Sequence, residues 1–187
     1  MNDDMRTDEY LIIKQCLDGD PERYALLVER YQGMIHNLSY RMLGDAEAAK
    51  DVAQESFISA YVALRTFQRK ARFSSWLCRI AMNKCKDYLR SKKDTISVDA
   101  LAELSATKES SPEEAASRKQ VKDGIQTALN GLPEDYREVI ILKHIEGLDY
   151  GEMEKILGIC ANTLKVRTHR GREMLKKILI EKGEAIG

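Results

Sequence analysis

The stretch 148–177, LDYGEMEKILGICANTLKVRTHRGREMLKK, most narrows the folds open to this chain, because two helical patterns meet there at a short glycine turn. The first pattern begins at Asp149, a residue type that caps helices, and then repeats apolar residues every three or four positions. It ends at Gly158, and the second pattern follows within three residues. Together they predict a helix-turn-helix.

The second helical pattern has two different faces. Its inner face carries Leu164, Leu175 and Ile178, and the small residues Thr168 and Gly171 predict a close crossing with the first helix of the pair. The outer side is basic, with Lys165, Val166, His169, Arg170, Lys176 and Lys177 on or near it. A helix-turn-helix places its second helix in the major groove of DNA. From these residues alone, an ordinary helical hairpin with a solvated basic face is an equal alternative.

Charge is balanced over the 187 residues, with 30 Lys and Arg against 30 Asp and Glu, but it is segregated along the chain. The segments 65–93 and 162–182 are strongly basic, whereas the segment 1–64 is acidic. Two separate basic blocks predict two surfaces for a polyanion. The acidic block predicts a surface for a different partner.

Several classes of protein are disfavoured by what the sequence lacks. It has no apolar run of roughly twenty residues, and the beginning, MNDDMRTDEY, is too polar for a signal peptide, so we expect a cytoplasmic protein without membrane insertion. No Gly-rich phosphate loop and no HExxH motif occurs, so we expect neither an enzyme nor a small-molecule substrate. The cysteines are scattered without a CxxC pair, which predicts no metal, no cofactor and four buried or half-buried thiols: Cys16, Cys78, Cys85 and Cys160.

Three helices are predicted in the first third of the chain. They span 8–17, then from Asp20 and Pro21 to Gly44, and then from Asp45 to about residue 64. The third helix has Val52, Ser56, Phe57, Ala60, Tyr61 and Leu64 as its inner stripe. Its other face shows Asp51, Gln54 and Glu55. Such a face is either simply solvated or a docking site for another protein.

A loop at 66–73, TFQRKARF, precedes a fourth helix that we expect Ser74 and Ser75 to cap. Aromatic residues alternating with cations suit single-stranded or distorted nucleic acid, because bases stack on rings and the backbone attracts positive charge. The alternative is that the aromatic residues belong to the core. We expect that for Tyr88, whereas Trp76 lies at the junction of loop and helix and is the better candidate for nucleic acid.

Helical periodicity is lost after residue 94, in the polar stretch DTISVDALAELSATKES. A capping box at 111–114 then starts a helix that ends at 130–131, and another helix runs from Pro133 to Gly147. The prediction is an all-α chain of two small helical domains, 1–94 and 111–187. A flexible linker at 95–110 joins them, and the second domain contains the helix-turn-helix.

Three strings carry a family resemblance: DVAQESFISAY, RFSSWLCRIAMNKCKDYLR and LPEDYREVIILKHIEGLDYGEMEKILGICANTLKVRTHRGREML. In this order, and with a polar linker between the second and third, they resemble the extracytoplasmic-function (ECF) group of the sigma-70-type bacterial sigma factors. The resemblance implies that the first domain corresponds to sigma region 2 and the second to region 4. It also implies a transcription initiation factor that binds core RNA polymerase, directs it to promoter DNA and assists melting.

The resemblance assigns roles to particular residues. Docking on the largest subunits of the polymerase falls on Asp51, Gln54 and Glu55. The resemblance assigns contact with flipped-out bases of the −10 element to Asn83 and Asp87. Supporting contacts with the DNA backbone or fork are assigned to Arg72, Trp76, Arg79, Lys84 and Lys86. Reading of the −35 element falls on Lys165, Val166, His169 and Arg170, with Arg167 and Arg172 as phosphate partners.

Two positions depart from the family pattern. Glu154 stands where a small residue is usual, and Cys160 replaces the Ser that often caps the recognition helix. Either change could shift the recognition helix. ECF proteins are commonly held by an anti-sigma factor, so the resemblance also implies such a partner.

Two other functions remain open at this point. One is an autonomous helix-turn-helix regulator that binds an operator without polymerase, and the other is a helical scaffold or adaptor. A regulator would carry a ligand or receiver module in its first domain, and a scaffold would not need the basic recognition face.

Overall fold

A computed structural model describes residues 2–68, 72–96 and 123–184, and it places side chains for 8–68, 72–93 and 123–181. The described residues form helices and turns without a strand, which confirms the predicted all-α fold. The predicted capping box at 111–114, and the linker beyond residue 96, lie outside these residues. Within the described ranges, no helix is both long enough and apolar enough to cross a membrane.

The first domain contains four helices. They are α1 (Asn2–Leu17), α2 (Tyr24–Leu43), α3 (Ala46–Val62) and α4 (Phe73–Ile96), with short 3-10 turns at Pro21–Arg23 and Leu64–Thr66. Helix α1 begins six residues before its predicted start. Helix α4 begins at Phe73, before the serines expected to cap it, and runs two residues into the range predicted as linker.

The turn between α2 and α3 follows from two residues. Gly44 ends α2 with a left-handed φ of 71°, a conformation that glycine adopts without steric cost. The Asp45 carboxylate then accepts hydrogen bonds from the backbone N–H groups of Glu47 (3.0 Å) and Ala48 (3.1 Å). This is the predicted N-cap of α3.

Helices α2, α3 and α4 enclose the core of the first domain. Its fully buried side chains include Leu27, Ile35, Leu38, Met42, Ala60, Leu77 and Ala81. The predicted inner stripe of α3 is right except for Tyr61, which is 44% exposed. Tyr61 is outside the core because Tyr24 fills that side, where its hydroxyl donates to the Phe57 carbonyl at 2.8 Å and its ring packs on that of Tyr61.

The second domain also has four helical segments. They are the described helical residues 123–130 (α5), α6 (Glu134–Ile140) continued by a π turn at Ile141–Ile145, α7 (Tyr150–Leu157) and α8 (Ala161–Glu184). Helix α7 starts with a complete capping box between Asp149 and Glu152 and ends at Gly158, whose φ is 69°. Helices α7 and α8 form the predicted helix-turn-helix.

Gly171 lies at a close helix crossing, but its partner differs from the predicted one. A Cβ at this position would lie 3.1 Å from Ile140 Cγ1 and 3.4 Å from the Tyr136 carbonyl oxygen, and both residues belong to α6. The expectation that the first helix of the pair lies there was therefore wrong. The α7 side chains Met153 and Ile156 are buried in the same core as Leu164, near the start of α8.

The two domains pack against each other. The Arg137 guanidinium donates to the Met42 carbonyl at 2.5 Å, and the Gln126 amide donates to the Arg41 carbonyl at 3.2 Å. Both acceptors belong to the last turn of α2, where helix carbonyls have no partner within the helix. Helix α7 also contacts α4. The sequence did not predict this contact.

Candidate nucleic-acid interface

The exposed face of α3 combines polar and apolar side chains. Asp51, Gln54 and Glu55 are all exposed, as expected. Beside them, Ile58 is 57% exposed and Tyr61 is 44% exposed, which is unusual for large hydrophobic side chains. Sequence reasoning missed Ile58 and placed Tyr61 in the core. The sequence could have identified both residues, because they lie four and seven residues after Gln54, a spacing that places Gln54, Ile58 and Tyr61 on one helix face.

This face borders a groove of about 790 Å³ between α2 and α3. Its lining is mostly apolar and aromatic, with polar groups from both helices at its edge. The lining residues are Tyr24, Val28, Gln32, Gly33, His36, Asn37, Lys50, Ala53, Gln54, Phe57, Ile58 and Tyr61. Of the three predicted docking residues, Gln54 therefore reaches the groove directly.

Six of the seven predicted −10 residues form one stripe along α4. Arg72 directly precedes α4, the next three follow at intervals of three or four residues, and the last two lie three and four residues after Asn83, which keeps all six on the same side of a helix. They are Arg72, Trp76, Arg79, Asn83, Lys86 and Asp87. Lys84 lies about a third of a turn away. Its ammonium group pairs instead with the Glu55 carboxylate of α3 at 3.2 Å, so the structure does not bring it together with the others.

Trp76 belongs to an aromatic cluster at the start of α4. Its ring centroid lies 5.3 Å from that of Phe67 and 5.7 Å from that of Phe73. Phe73 is 1% exposed and also packs on Tyr31, so it anchors this cluster to the core. Trp76 is half-buried, which leaves part of its ring on the surface. Tyr88 is also half-buried.

The predicted −35 residues divide into two groups on α8. Lys165, Val166, His169, Arg170 and Arg172 are exposed. Arg167 is turned toward α6, where its guanidinium lies 3.4 Å from the Asp135 carboxylate and 3.9 Å from that of Glu138. Asn162 and Thr163, in the first turn of α8, are exposed near the basic face and were missed. Their position in the sequence could have identified them as candidates for DNA contact, because the first residues of a recognition helix approach base edges.

The two departures from the family pattern leave the turn intact. Glu154 is exposed on α7, and its carbonyl accepts the capping N–H of Gly158 at 2.8 Å. The Cys160 sulfur lies 3.1 Å from the Thr163 hydroxyl, and this hydrogen bond, followed by backbone N–H groups, lowers the pKa of the thiol. Cys160 is exposed, so the expectation that all four cysteines are buried or half-buried was wrong for it. It is exposed because it precedes α8 in the turn.

The remaining cysteines are less accessible. Burial raises the pKa of the Cys78 thiol to about 12 and that of Cys85 to about 11. All four cysteines are free. Across the residues that the structure describes, no group of three His, Cys, Asp or Glu side chains is arranged to hold a metal ion.

Two family models match the chain, one in each domain. Sigma-70 region 2 matches residues 27–95, and Sigma-70, region 4 matches residues 122–175. The first range contains the α3 face and the α4 stripe. The second contains the helix-turn-helix.

Curated relatives are similar over nearly the whole chain. The ECF RNA polymerase sigma factor SigW of Bacillus subtilis is 40% identical, over 89% of this chain and 94% of that protein. The RNA polymerase sigma-H factor of Pseudomonas aeruginosa is 35% identical, over 90% of this chain and 92% of its own length. The ECF RNA polymerase sigma-E factor of Escherichia coli K12 is 34% identical, with coverages of 89% and 92%.

Solved structures show the same fold. CnrH in complex with the cytosolic domain of CnrY has a TM-score of 0.67 at 26% identity, covering 91% of this chain and 96% of that one. The sigma factor RpoE of Bartonella quintana, in complex with the anti-sigma factor NepR, has a TM-score of 0.69 at 21% identity, with coverages of 83% and 96%. The chain therefore belongs to the ECF group of sigma-70-type sigma factors and is a transcription initiation factor, not an autonomous regulator.

Proposed function

We propose that this sigma factor docks on core RNA polymerase through the exposed face of α3 and reads promoters with α4 and α8. One observation supports this assignment of separate roles to α3, α4 and α8. The described surface carries three chemically different faces: an apolar groove with a polar edge, a cationic stripe that includes an aromatic ring, and a basic recognition helix. The chain provides recognition, and the chemistry of RNA synthesis is left to the polymerase.

The α3 face suits a protein partner because its chemistry matches that of a protein interface. Protein interfaces place apolar and aromatic side chains at the centre and polar groups at the rim. Here Ile58 and Tyr61 supply the centre, while Asp51, Gln54 and Glu55 supply the rim. The resemblance to ECF sigma factors implies docking on the clamp coiled coil of the polymerase largest subunits, so the proposed occupant is one helix of that coiled coil, lying along the groove between α2 and α3.

The α4 stripe suits an opened promoter. Asn83 offers an amide and Asp87 a carboxylate, which together donate to and accept from the edges of a flipped-out base. Flipping a base costs a few kcal/mol, and stacking on the exposed part of Trp76 offsets some of it. Arg72 and Arg79 are exposed at the same end of the stripe and hold the single-strand backbone.

The α8 face suits duplex DNA at the −35 element. Lys165 and Arg170 carry donors for guanine edges, and the apolar tip of Val166, 51% exposed, fits a thymine methyl group. Arg172 lies at the border of this face, where a phosphate contact is expected. Arg167 reaches DNA only after it leaves the carboxylates of α6.

Two further proposals rest on membership of the ECF group. The protein works in the cytoplasm, where core RNA polymerase is found. An anti-sigma factor that covers the DNA-binding domains is its second partner.

Substitution of Gln54 and Glu55 tests the docking surface. The variant Gln54→Ala with Glu55→Ala is expected to bind core polymerase about fivefold or more weakly, since both side chains belong to the polar rim of the exposed α3 face. Asp18→Ala removes an exposed carboxylate directly after α1, outside the groove lining, and serves as the control. Unchanged co-purification of the double variant with core polymerase would show that the docking surface is elsewhere.

A further inference from the structure

Glu9 occupies a position of α1 that packing alone would give to an apolar residue. It lies three and four residues before Ile12 and Ile13, so the three share one helix face, and all three are buried. A buried carboxylate costs free energy unless it has a hydrogen-bond partner. The position of Glu9 among apolar neighbours therefore requires a partner within the fold.

The partner is Tyr31 of α2, which is 8% exposed. Its hydroxyl donates a hydrogen bond to the Glu9 carboxylate. Burial, followed by this bond, raises the pKa of Tyr31, so the hydroxyl keeps its proton and remains the donor. The neighbouring Arg30 holds the same turn of α1, since its guanidinium lies 2.6 Å from the Asp8 carboxylate and 3.9 Å from that of Glu9. Helix α1 thus fixes the polar end of Tyr31.

The ring of Tyr31 packs on the aromatic cluster at the start of α4. Its centroid lies 5.7 Å from that of Phe73, and the Phe73 centroid lies 5.7 Å from that of Trp76. Both separations fall in the range of about 4.5–7 Å in which aromatic rings attract each other. Phe67 packs on the same two α4 rings, at 5.6 and 5.3 Å. Side-chain contacts therefore run without a gap from Glu9 on α1 to Trp76 on α4.

These contacts decide how the Trp76 ring is presented to DNA. A base stacks best on a ring whose plane is already fixed, because ordering a mobile side chain opposes binding. Trp76 is half-buried and packs on Phe73, which is 1% exposed. Close packing couples the position of Phe73 to that of Tyr31. The orientation of the Trp76 ring therefore depends on a hydrogen bond that lies two side chains away.

We propose that Glu9 and Tyr31 are positioning residues for promoter opening. Through Phe73, their hydrogen bond holds the Trp76 ring at the angle at which a flipped-out base stacks on it. Helix α1 thereby acts in DNA melting, although none of its residues is assigned to DNA contact. The inference rests on the proposed role of Trp76 in the α4 stripe. Loss of the hydrogen bond slows strand opening and leaves polymerase docking and duplex binding intact.

Fluorescence measures the environment of Trp76 directly, because it is the single tryptophan of the 187 residues. Glu9→Ala removes the acceptor and is expected to raise acrylamide quenching in the free protein about twofold, since the network that holds the ring is broken. Tyr31→Phe keeps the ring, removes only the donor and gives the same test if Glu9→Ala does not fold. Glu9→Gln keeps an oxygen acceptor and is expected to leave quenching unchanged. Unchanged quenching in either folded variant that lacks the bond would overturn the proposal.

Opening is measured with holoenzyme by permanganate oxidation of unpaired thymines, alongside affinity for core polymerase and for closed promoter DNA. Glu9→Ala and Tyr31→Phe are expected to open the promoter about fivefold more slowly, the effect of one net hydrogen bond, with both affinities unchanged. Glu9→Gln is expected to open it at the normal rate. Ser56→Ala is the matched control, because it removes a buried hydroxyl that donates to the Val52 carbonyl at 2.6 Å, outside the aromatic cluster. Equal slowing by Ser56→Ala would attribute the effect to stability and contradict positioning.

Trp76→Ala separates this inference from the proposed function. It is expected to slow opening about tenfold, because a stacking surface for one base is lost. Adding Glu9→Ala to Trp76→Ala is expected to slow opening no further, since Glu9 acts through the missing ring. Opening at the normal rate by Trp76→Ala would overturn the proposed role of Trp76. Slow opening by Trp76→Ala, with normal opening by Glu9→Ala and Tyr31→Phe, would leave that role in place and overturn only the positioning.

Discussion

Ile58 offers the sharpest test of the docking surface, because it is large, apolar and 57% exposed in the free protein. Binding of a polymerase helix in the adjoining groove would bury that exposed part. Ile58→Ala removes three carbons, each of which contributes about 0.8 kcal/mol when fully buried. Scaled by the 57% that docking would newly bury, the loss is about 1.4 kcal/mol, or about tenfold in Kd.

The same substitution also removes contacts that already exist within the folded chain. The part of Ile58 that is buried without a partner accounts for about 1 kcal/mol of folding stability. Leu11→Ala is a matched control, because Leu11 is 53% exposed but lies on α1, outside the groove. It should lower stability by a similar amount without changing affinity for the polymerase.

Affinity is measured by titrating core RNA polymerase into fluorescently labelled sigma factor and recording anisotropy, with urea unfolding of each variant alongside. Ile58→Ala is expected to weaken binding about tenfold, and Leu11→Ala to remain within twofold of the unchanged protein. Equal weakening by both variants would attribute the effect to stability. Binding of Ile58→Ala at full strength would refute the groove as the docking site.

Lys165→Ala should weaken holoenzyme binding to duplex promoter DNA about tenfold, because a good edge contact contributes about 1–3 kcal/mol. Lys14→Ala on α1 is the control and should leave this binding unchanged. Gel-shift titration measures both affinities, and equal values would refute the assignment of Lys165. Iodoacetamide at pH 8 should alkylate Cys160 first, because its lowered pKa gives more of the reactive thiolate at any pH below the ordinary value. Cys78 and Cys85, with pKa values of about 12 and about 11, remain buried thiols at this pH and should react only on unfolding. Peptide mass spectrometry gives the order of labelling, and early alkylation of Cys78 or Cys85 would contradict their burial.

Local features of the fold were predictable from the sequence because they depend on neighbours within a few residues. Asp45 and Asp149 cap the helices that follow them, and Gly44 and Gly158 end the helices before them, as expected. Each effect is decided by backbone groups within one turn. The all-α fold and the helix-turn-helix followed from the same local rules.

Features that depend on packing between distant segments were not predictable. Tyr61 fits the apolar period of α3, yet Tyr24 of another helix displaces it from the core. Gly171 signalled a close crossing, but the sequence could not show that α6 is the helix that approaches it. Periodicity identifies the buried side of a helix but not the segment that packs against that side.

The candidate sites show the same contrast between local features, which the sequence predicts, and contacts between distant segments, which it does not. Spacing along α4 placed Arg79, Asn83 and Asp87 on one exposed face, as helix geometry requires. The carboxylates that pair with Lys86 and Arg167 come from α6, and no local pattern connects these segments. The contact between the domains therefore became visible only in three dimensions.

Run-off transcription with purified core RNA polymerase tests the central claim most directly. Linear promoter fragments are transcribed with core enzyme alone, with this sigma factor alone, and with both. A discrete transcript is expected only from the combination, because recognition belongs to the sigma factor and synthesis to the polymerase. Tight binding of the free protein to an operator, with no transcript from any promoter fragment in the presence of core enzyme, would contradict the account.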